Sequence, residues 1–392
     1  MLPADPCPAT PPACPTAPSG FARGAGLRAI DRCAFPMTDR GTWADRGAII
    51  DAFPAASRVS IADITTDMNR AATTVAAAQV PGNPPAVQRA FTWQSGDNSV
   101  TYWIPQGITG SFDGTTDGTV GGRKLVLVSW YYERDNEAGS TAEKGVRIAI
   151  VDVTNPSAIA YRFALLAEPV MRAGRPDFSP VVIHAGGLAW VGDYLYVPVT
   201  GSGFRVFDLS RIIRVDGTVD RLGYDMVNQR YDAHGYKYVI PQVGEYVDAG
   251  ACDMRYSYVA LDRTTTPPSL VSGEYDAATV TGRIFHWPLD PATGRLQHTD
   301  RDRVIGGGAW LAGESHVQGT LSHEGTFWMS SSQPAAGAGA LYRAKVDTRS
   351  TTLGWIDSPE DLAWDPQADL VWSLSEHADA RYVIGVRRES ID

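Results

Sequence analysis

Two stretches far apart in the chain share one grammar. "HAGGLAWVGDYLYVPVT" from His184 and "HVQGTLSHEGTFWMSSS" from His316 each run from a histidine to a glycine three residues on, then a short apolar stretch, a polar turn and a hydrophobic run. The plan extends to five segments. First strands begin at "PQGITGS", "HAGGLAW", "DMRYSYVAL", "HVQGTLS" and "PEDLAWD"; second strands read "KLVLVSWYYE", "YLYVPVTGS", "SLVSGEYDA", "TFWMSSSQP" and "LVWSLSEHA". Third strands, often closed by Asp, read "GVRIAIVDV", "GFRVFDLS", "GRIFHWPLD", "GALYRAKVD" and "RYVIGVRRE". Short hydrophobic runs bounded by Gly, Asp and Pro are strand and turn signals, and recurrence of the whole plan marks a repeat architecture. With 39 Gly and 26 Pro among 392 residues, there are enough turn-formers for many short elements.

One such unit cannot bury both faces of its own sheet, whereas sheets packed radially around an axis can. The expected fold is therefore all-β: a β-propeller of five blades, with a sixth within residues 40–100 as the alternative, together with an N-terminal Pro-rich arm and one short helix. The last unit has three strands before the chain ends, so an N-terminal segment, with "RVSIADI" the candidate, is expected to complete it and close the ring. This divides the chain into a Pro/Cys-rich arm (1–40), a segment carrying the helix and the ring-closing strand (41–100), and the propeller (101–392). The helix is expected over about 65–80, in "ITTDMNRAATTVAAAQVPG": Thr65 or Thr66 caps it, Asp67 suits its N-terminal dipole, the alanines propagate it, and Pro81-Gly82 stops it.

Charge narrows the partners. The 44 acidic and 34 basic residues give −10, with no Lys/Arg-rich run to track a phosphate backbone, so no nucleic acid is expected. No apolar stretch approaches the roughly 18–20 residues of a membrane helix. Cys7, Cys14 and Cys33 lie in or near the Pro-rich arm and Cys252 far away, a spacing unlike that of paired zinc ligands. Two disulfides are expected, one tying the arm to the body through Cys252. That implies an oxidising compartment and a secreted, monomeric protein.

In a radial array the starts of the first strands and the ends of the second strands converge on one funnel. Register nominates His184 and His316 at the first position of their strands, and Gln106, Gln318 and Glu360, followed by Asp361, two residues on. In the third unit it nominates Asp253 and Arg255. Second-strand ends add Tyr132, Glu133, Glu376 and His377. Imidazole exchanges protons near neutrality and in its neutral form binds divalent metal, so His184 and His316 are candidate catalytic groups or, with Gln318, metal ligands. The plainer alternative is that both histidines cap strands by bonding neighbouring backbone. Glu360 is a candidate general acid or base, or else half of a solvated pair with Asp361. Asp253 and Arg255 form either an ion pair or an anion clamp. Aromatics at the mouth, Tyr132 among them, suit stacking on sugars.

The repeat grammar from about 104 to 391 resembles secreted bacterial β-propellers, a class that includes lactonases, lyases and five-bladed glycosidases. The resemblance implies an architecture and leaves the activity open. It implies either a hydrolase or lyase acting on an extracellular carbohydrate or small molecule, with a divalent metal as the one cofactor to test for, or a non-catalytic propeller binding a glycan, peptide or protein. Blades that differ at their openings favour the enzyme, because a lectin would repeat its binding residues.

Overall fold

The computed structural model describes residues 2–332 and 338–392; Met1 of the arm and Gln333-Pro334 of the fourth second strand lie outside them. The chain is mostly β, with 46% strand against 10% helix. Two antiparallel runs of four strands open the body. Trp103–Gly110, Leu125–Tyr132, Val146–Asp152 and Ala160–Arg172 form the first, and Ala189–Val191, Tyr194–Val199, Gly203–Asp208 and Tyr238–Asp248 the second. Their outer strands join in parallel where Leu165–Ala167 face Val239–Pro241, making one large sheet. Tyr256–Asp262 heads a third sheet and Val317–His323 a fourth. Pro359–Asp365 heads the fifth.

The five leading strands lie side by side at the centre, and the repeated glycine explains how. A Cβ on Gly107 would stand 2.5 Å from the backbone of Gly187, one on Gly187 2.2 Å from Val259, and one on Gly319 2.6 Å from Asp361. The glycine three residues after each unit's first position is thus the place where backbones of neighbouring sheets meet. The fifth sheet has Asp361 there instead. It is fully buried, and its Oδ2 accepts the backbone N–H groups of Ile108 and Leu188, each at 3.1 Å, from two other leading strands.

The aspartates that close third strands turn the chain. Asp152 Oδ1 accepts the N–H of Thr154 at 3.0 Å, and Asp208 Oδ1 that of Ser210 at 2.8 Å, so each carboxylate folds the following loop back on itself. Between sheets the core is aliphatic and aromatic, and it encloses Arg147. That guanidinium lies 3.6 Å from the ring centroid of Phe163, with Trp103 and Trp130 at 4.6 and 4.9 Å and the Asp97 carboxylate at 3.4 Å.

Two expectations are corrected. The helix over 65–80 does not form. Ile61–Thr65 is helical, but Arg70–Ala71 pairs with Tyr161–Ala160 and Thr73–Thr74 with Thr92–Phe91, leaving a single 3-10 turn at Ala77–Gln79. Ladder bonds to two sheet edges outweigh the propensity of the alanines, and the β-branched Thr73 and Thr74 fit a strand. The strand completing the last sheet is not "RVSIADI" either. Arg58–Val59 pairs with Ile213–Ile212, while Val87–Thr92 pairs with Tyr382–Val386 of the last third strand. In the latter run Gln88 and Arg89 are exposed and the next two residues, Ala90 and Phe91, are both buried, so its second half is covered on both faces.

The arm is held by Cys7–Cys33 and Cys14–Cys252, and no cysteine is free. Asp5, with its carboxylate fully enclosed, ion-pairs with Arg303 at 2.8 Å. No helix among the described residues is long and apolar enough to cross a membrane.

Candidate functional site

A cavity of about 480 Å³ opens where the leading strands begin, lined by Gln106, His184, Arg255, Tyr275, Gln318 and Glu376, with Gly186, Thr200 and Ser257 between them. Five of these were expected from register. Gln106, Gln318 and Glu360 share the position two residues into their units, and they reach one place because strand side chains alternate and units repeat.

Of two carboxyls near one another, Glu376 lines the cavity and Glu360 lies buried behind the lining residue Gln318, each bonded to an amide of a neighbouring sheet. Gln106 Nε2 donates to Glu376 Oε2 at 2.9 Å, and Gln318 Nε2 to Glu360 Oε1 at 3.2 Å. Glu360 is 1% exposed. Its burial, reinforced by the charges of Glu376 and Asp361, raises its pKa well above the ordinary glutamate value. Behind Glu376, Arg381 fixes the main chain by donating from Nε to the Glu376 carbonyl at 2.8 Å and from Nη1 to that of Asp97 at 2.8 Å. Burial first, then the nearby Arg147 charge, lower the pKa of Arg381 to about 10.

His184 keeps an open face toward the cavity, but protein on its other sides holds its pKa below the usual imidazole value. Tyr131 packs against it, ring centroids 4.4 Å apart. Tyr275 forms another wall, and its backbone N–H donates to Ser257 Oγ at 3.1 Å.

His316 does not line this cavity. It stands beside Tyr275, ring centroids 5.8 Å apart, with φ of 56° and its backbone N–H on the Asp276 carbonyl at 2.8 Å. The matching histidines therefore do different work: one faces the cavity and the other supports its wall. Of the expected metal set, His184 and Gln318 line the cavity and His316 does not. Among the described residues no group of three or more His, Cys, Asp or Glu side chains has metal-holding geometry.

Tyr132 is turned away from the cavity, with its hydroxyl bonded to Glu137 and Ser140. Its neighbour Tyr131 faces the cavity side because successive strand residues point to opposite faces. Glu133 is half-buried and acts on Tyr131 only through its charge, and His377 is two-thirds exposed at 3.8 Å from Glu376. In the third unit the register is offset from that expected. Ser257 and Tyr258 stand against Gly186 and Gly187, so Arg255 takes the first position and Ser257 the third. Asp253 lies in an adjoining cavity of about 560 Å³, walled by Cys14 to Ala17 of the arm, and no ion pair joins it to Arg255. Arg255 and Tyr275 line both cavities.

Tyr131 belongs with Trp130 and Tyr132 to the second-strand aromatics expected at the mouth, whereas Tyr275, Thr200 and Ser257 were missed. Tyr275 lies just past the end of the second strand Ser269–Glu274, where no repeat pattern singles it out.

No known family profile matches the chain, and no curated protein matches its sequence. Among solved structures it is similar to a GH43_1 enzyme from Xanthomonas citri, at 10% identity and a TM-score of 0.33 over 79% of this chain and 90% of that one. It is also similar to the hydrazine synthase of Kuenenia stuttgartiensis, at 12% identity and a TM-score of 0.28 over 69% and 73%. Likeness at this level carries no statement about chemistry.

Proposed function

We propose that the chain is a five-bladed propeller hydrolase that cleaves a glycosidic bond in the axial cavity, with Glu360 as proton donor and Glu376 as the partner carboxylate. The observation that carries this is the unequal pair: Glu360 is 1% exposed behind Gln318, where burial and the nearby charge of Glu376 raise its pKa, while Glu376 opens on the cavity. Paired carboxyls in unlike surroundings divide acid and base roles in this way. With Gln318 bonded to Oε1, the Glu360 proton belongs on Oε2, and Glu376 is the more open of the two, its side chain 27% exposed.

The two glutamine amides hold the carboxyls in place. His184, Ser257 and Thr200 are neutral hydrogen-bonding groups suited to sugar hydroxyls, and Tyr131 and Tyr275 supply flat faces for a pyranose or furanose ring. Five leading strands side by side support the blade count. The two disulfides suit a secreted protein.

The test is turnover of a panel of aryl glycosides and polysaccharides by the wild type, Glu360→Gln and Glu376→Gln. At least one substrate should be cleaved, and each variant should lose about 10²–10⁴-fold in kcat/KM with a melting temperature no lower than that of the wild type. Turnover that survives both substitutions would overturn the assignment. The second reading, a glycan-binding propeller, rests on the polar, aromatic lining of the same cavity. It predicts no turnover anywhere in the panel, with glycan binding lost in His184→Ala.

A further inference from the structure

A second cavity, of about 510 Å³, shares no lining residue with the axial one. Its walls come from the turn at Ala52 to Ser57, the strand Arg175–Pro180, the segment Arg214 to Asp216, and the hairpin Leu222–Asp225/Arg230–Ala233. Three guanidinium groups face it: Arg175, Arg214 and Arg230.

Among the described residues, none of the three has a carboxylate at hydrogen-bonding distance. Arg175 lies over the ring of Tyr224 at 3.9 Å, and its Nη1 meets only the Met226 sulfur, also at 3.9 Å. Arg214 donates to the Ala56 carbonyl at 3.2 Å. The nearest carboxylate to Arg230 is Asp232 at 3.7 Å, and Asp232 is already taken by Arg221 at 2.8 Å. The Nε of Arg230 is buried without a hydrogen-bond partner. Asp216 is the one acid in the lining, so the cavity carries two positive charges in excess, in a chain whose formal charge is −10.

Like charges brought together on a concave wall repel, and an anion seated among them relieves that repulsion. Guanidinium forks match the two-oxygen edge of carboxylate, sulfate and phosphate groups. Tyr224 and Tyr231, edge to face at 4.9 Å, add a flat apolar wall. We propose that this cavity is a second ligand site, for a small molecule or glycan terminus carrying two oxyanion groups. One group falls between Arg175 and Arg230 and the other at Arg214, with the ligand's carbon frame against the tyrosines.

The test is calorimetric titration of the full chain at low ionic strength with inorganic pyrophosphate, citrate and a sulfated disaccharide, which separate phosphate, carboxylate and sulfate sources. At least one should bind with Kd below about 1 mM. Arg175→Ala and Arg214→Ala should each weaken it by about tenfold or more, as expected for loss of a charge-assisted hydrogen bond, and salt at about 1 M should weaken it further. Arg214 is exposed, so Arg214→Gln serves as the test if Arg175→Ala does not fold. No binding by any probe, or undiminished binding in Arg175→Ala/Arg214→Gln, would overturn the proposal. Neither outcome depends on whether the axial cavity is catalytic.

Discussion

Asp361 stands where the first, second and fourth units have glycine, and its carboxyl does what close backbone contact does elsewhere. It accepts amide N–H groups from two other leading strands. Asp361→Ala should therefore orphan two buried donors and cost about 2–4 kcal/mol in urea unfolding. Asp361→Asn keeps an acceptor oxygen and should cost less than half of that; equal losses in both would contradict the role.

Glu360, one residue earlier, gives a prediction in pH. The unfolded chain ionises this group near the ordinary glutamate value of 4.5, whereas the folded protein holds its proton to higher pH. Between those two values the folded state binds the extra proton, so this group makes stability fall as pH rises. Glu360→Gln cannot ionise and should lose that slope, matching the wild type near pH 4 and exceeding it at pH 7. Parallel pH–stability curves for the two proteins would refute the neutral assignment.

How far such residues were legible depended on whether they obeyed the repeat. Gln106, His184, Gln318 and Glu360 stand at fixed offsets from an inner-strand glycine or its substitute, so counting alone brings them together. Asp361 was visible, but its use was not, because two of its partners are backbone groups more than a hundred positions away. His316 matched its counterpart letter for letter and still faces elsewhere, since what surrounds it, Tyr275 and the Asp276 carbonyl, belongs to the previous sheet.

At the scale of elements, the arm and the 65–80 segment show local propensity failing in opposite ways. Alanines that favour a helix are drawn out along two sheet edges, and prolines that favour no element at all are fixed by two covalent links. Cys14–Cys252 spans 238 residues and Cys7–Cys33 spans 26. In the chain-entropy view, losing the longer link should cost about 2 kcal/mol more than losing the shorter. Cys14→Ser/Cys252→Ser and Cys7→Ser/Cys33→Ser compared by thermal unfolding test this. The first pair should also free the wall at Cys14 to Ala17, read as new proteolytic cutting there; resistance equal to the wild type would mean that contacts such as Asp5–Arg303 hold the arm unaided.

For the whole molecule, what matters is that Val87–Thr92 joins the last sheet, with Phe91 opposite Val383. Ala90 is buried within that strand, opposite Ile384. A proline there should break the ladder and cost about 3 kcal/mol or more. The loss should reach the axial site as well, since Glu360 lies in the leading strand of that sheet and Glu376 just past its second strand. A variant Ala90→Pro with wild-type stability would mean that the N-terminal strand is dispensable.

The same pairing bears on how the chain is made. Val87–Thr92 is translated long before its partner Tyr382–Arg387, and until that partner follows it the edge between them stays unmatched. Among the described sheets the fifth is therefore the last to be completed, after the other four have had their own strands to pair.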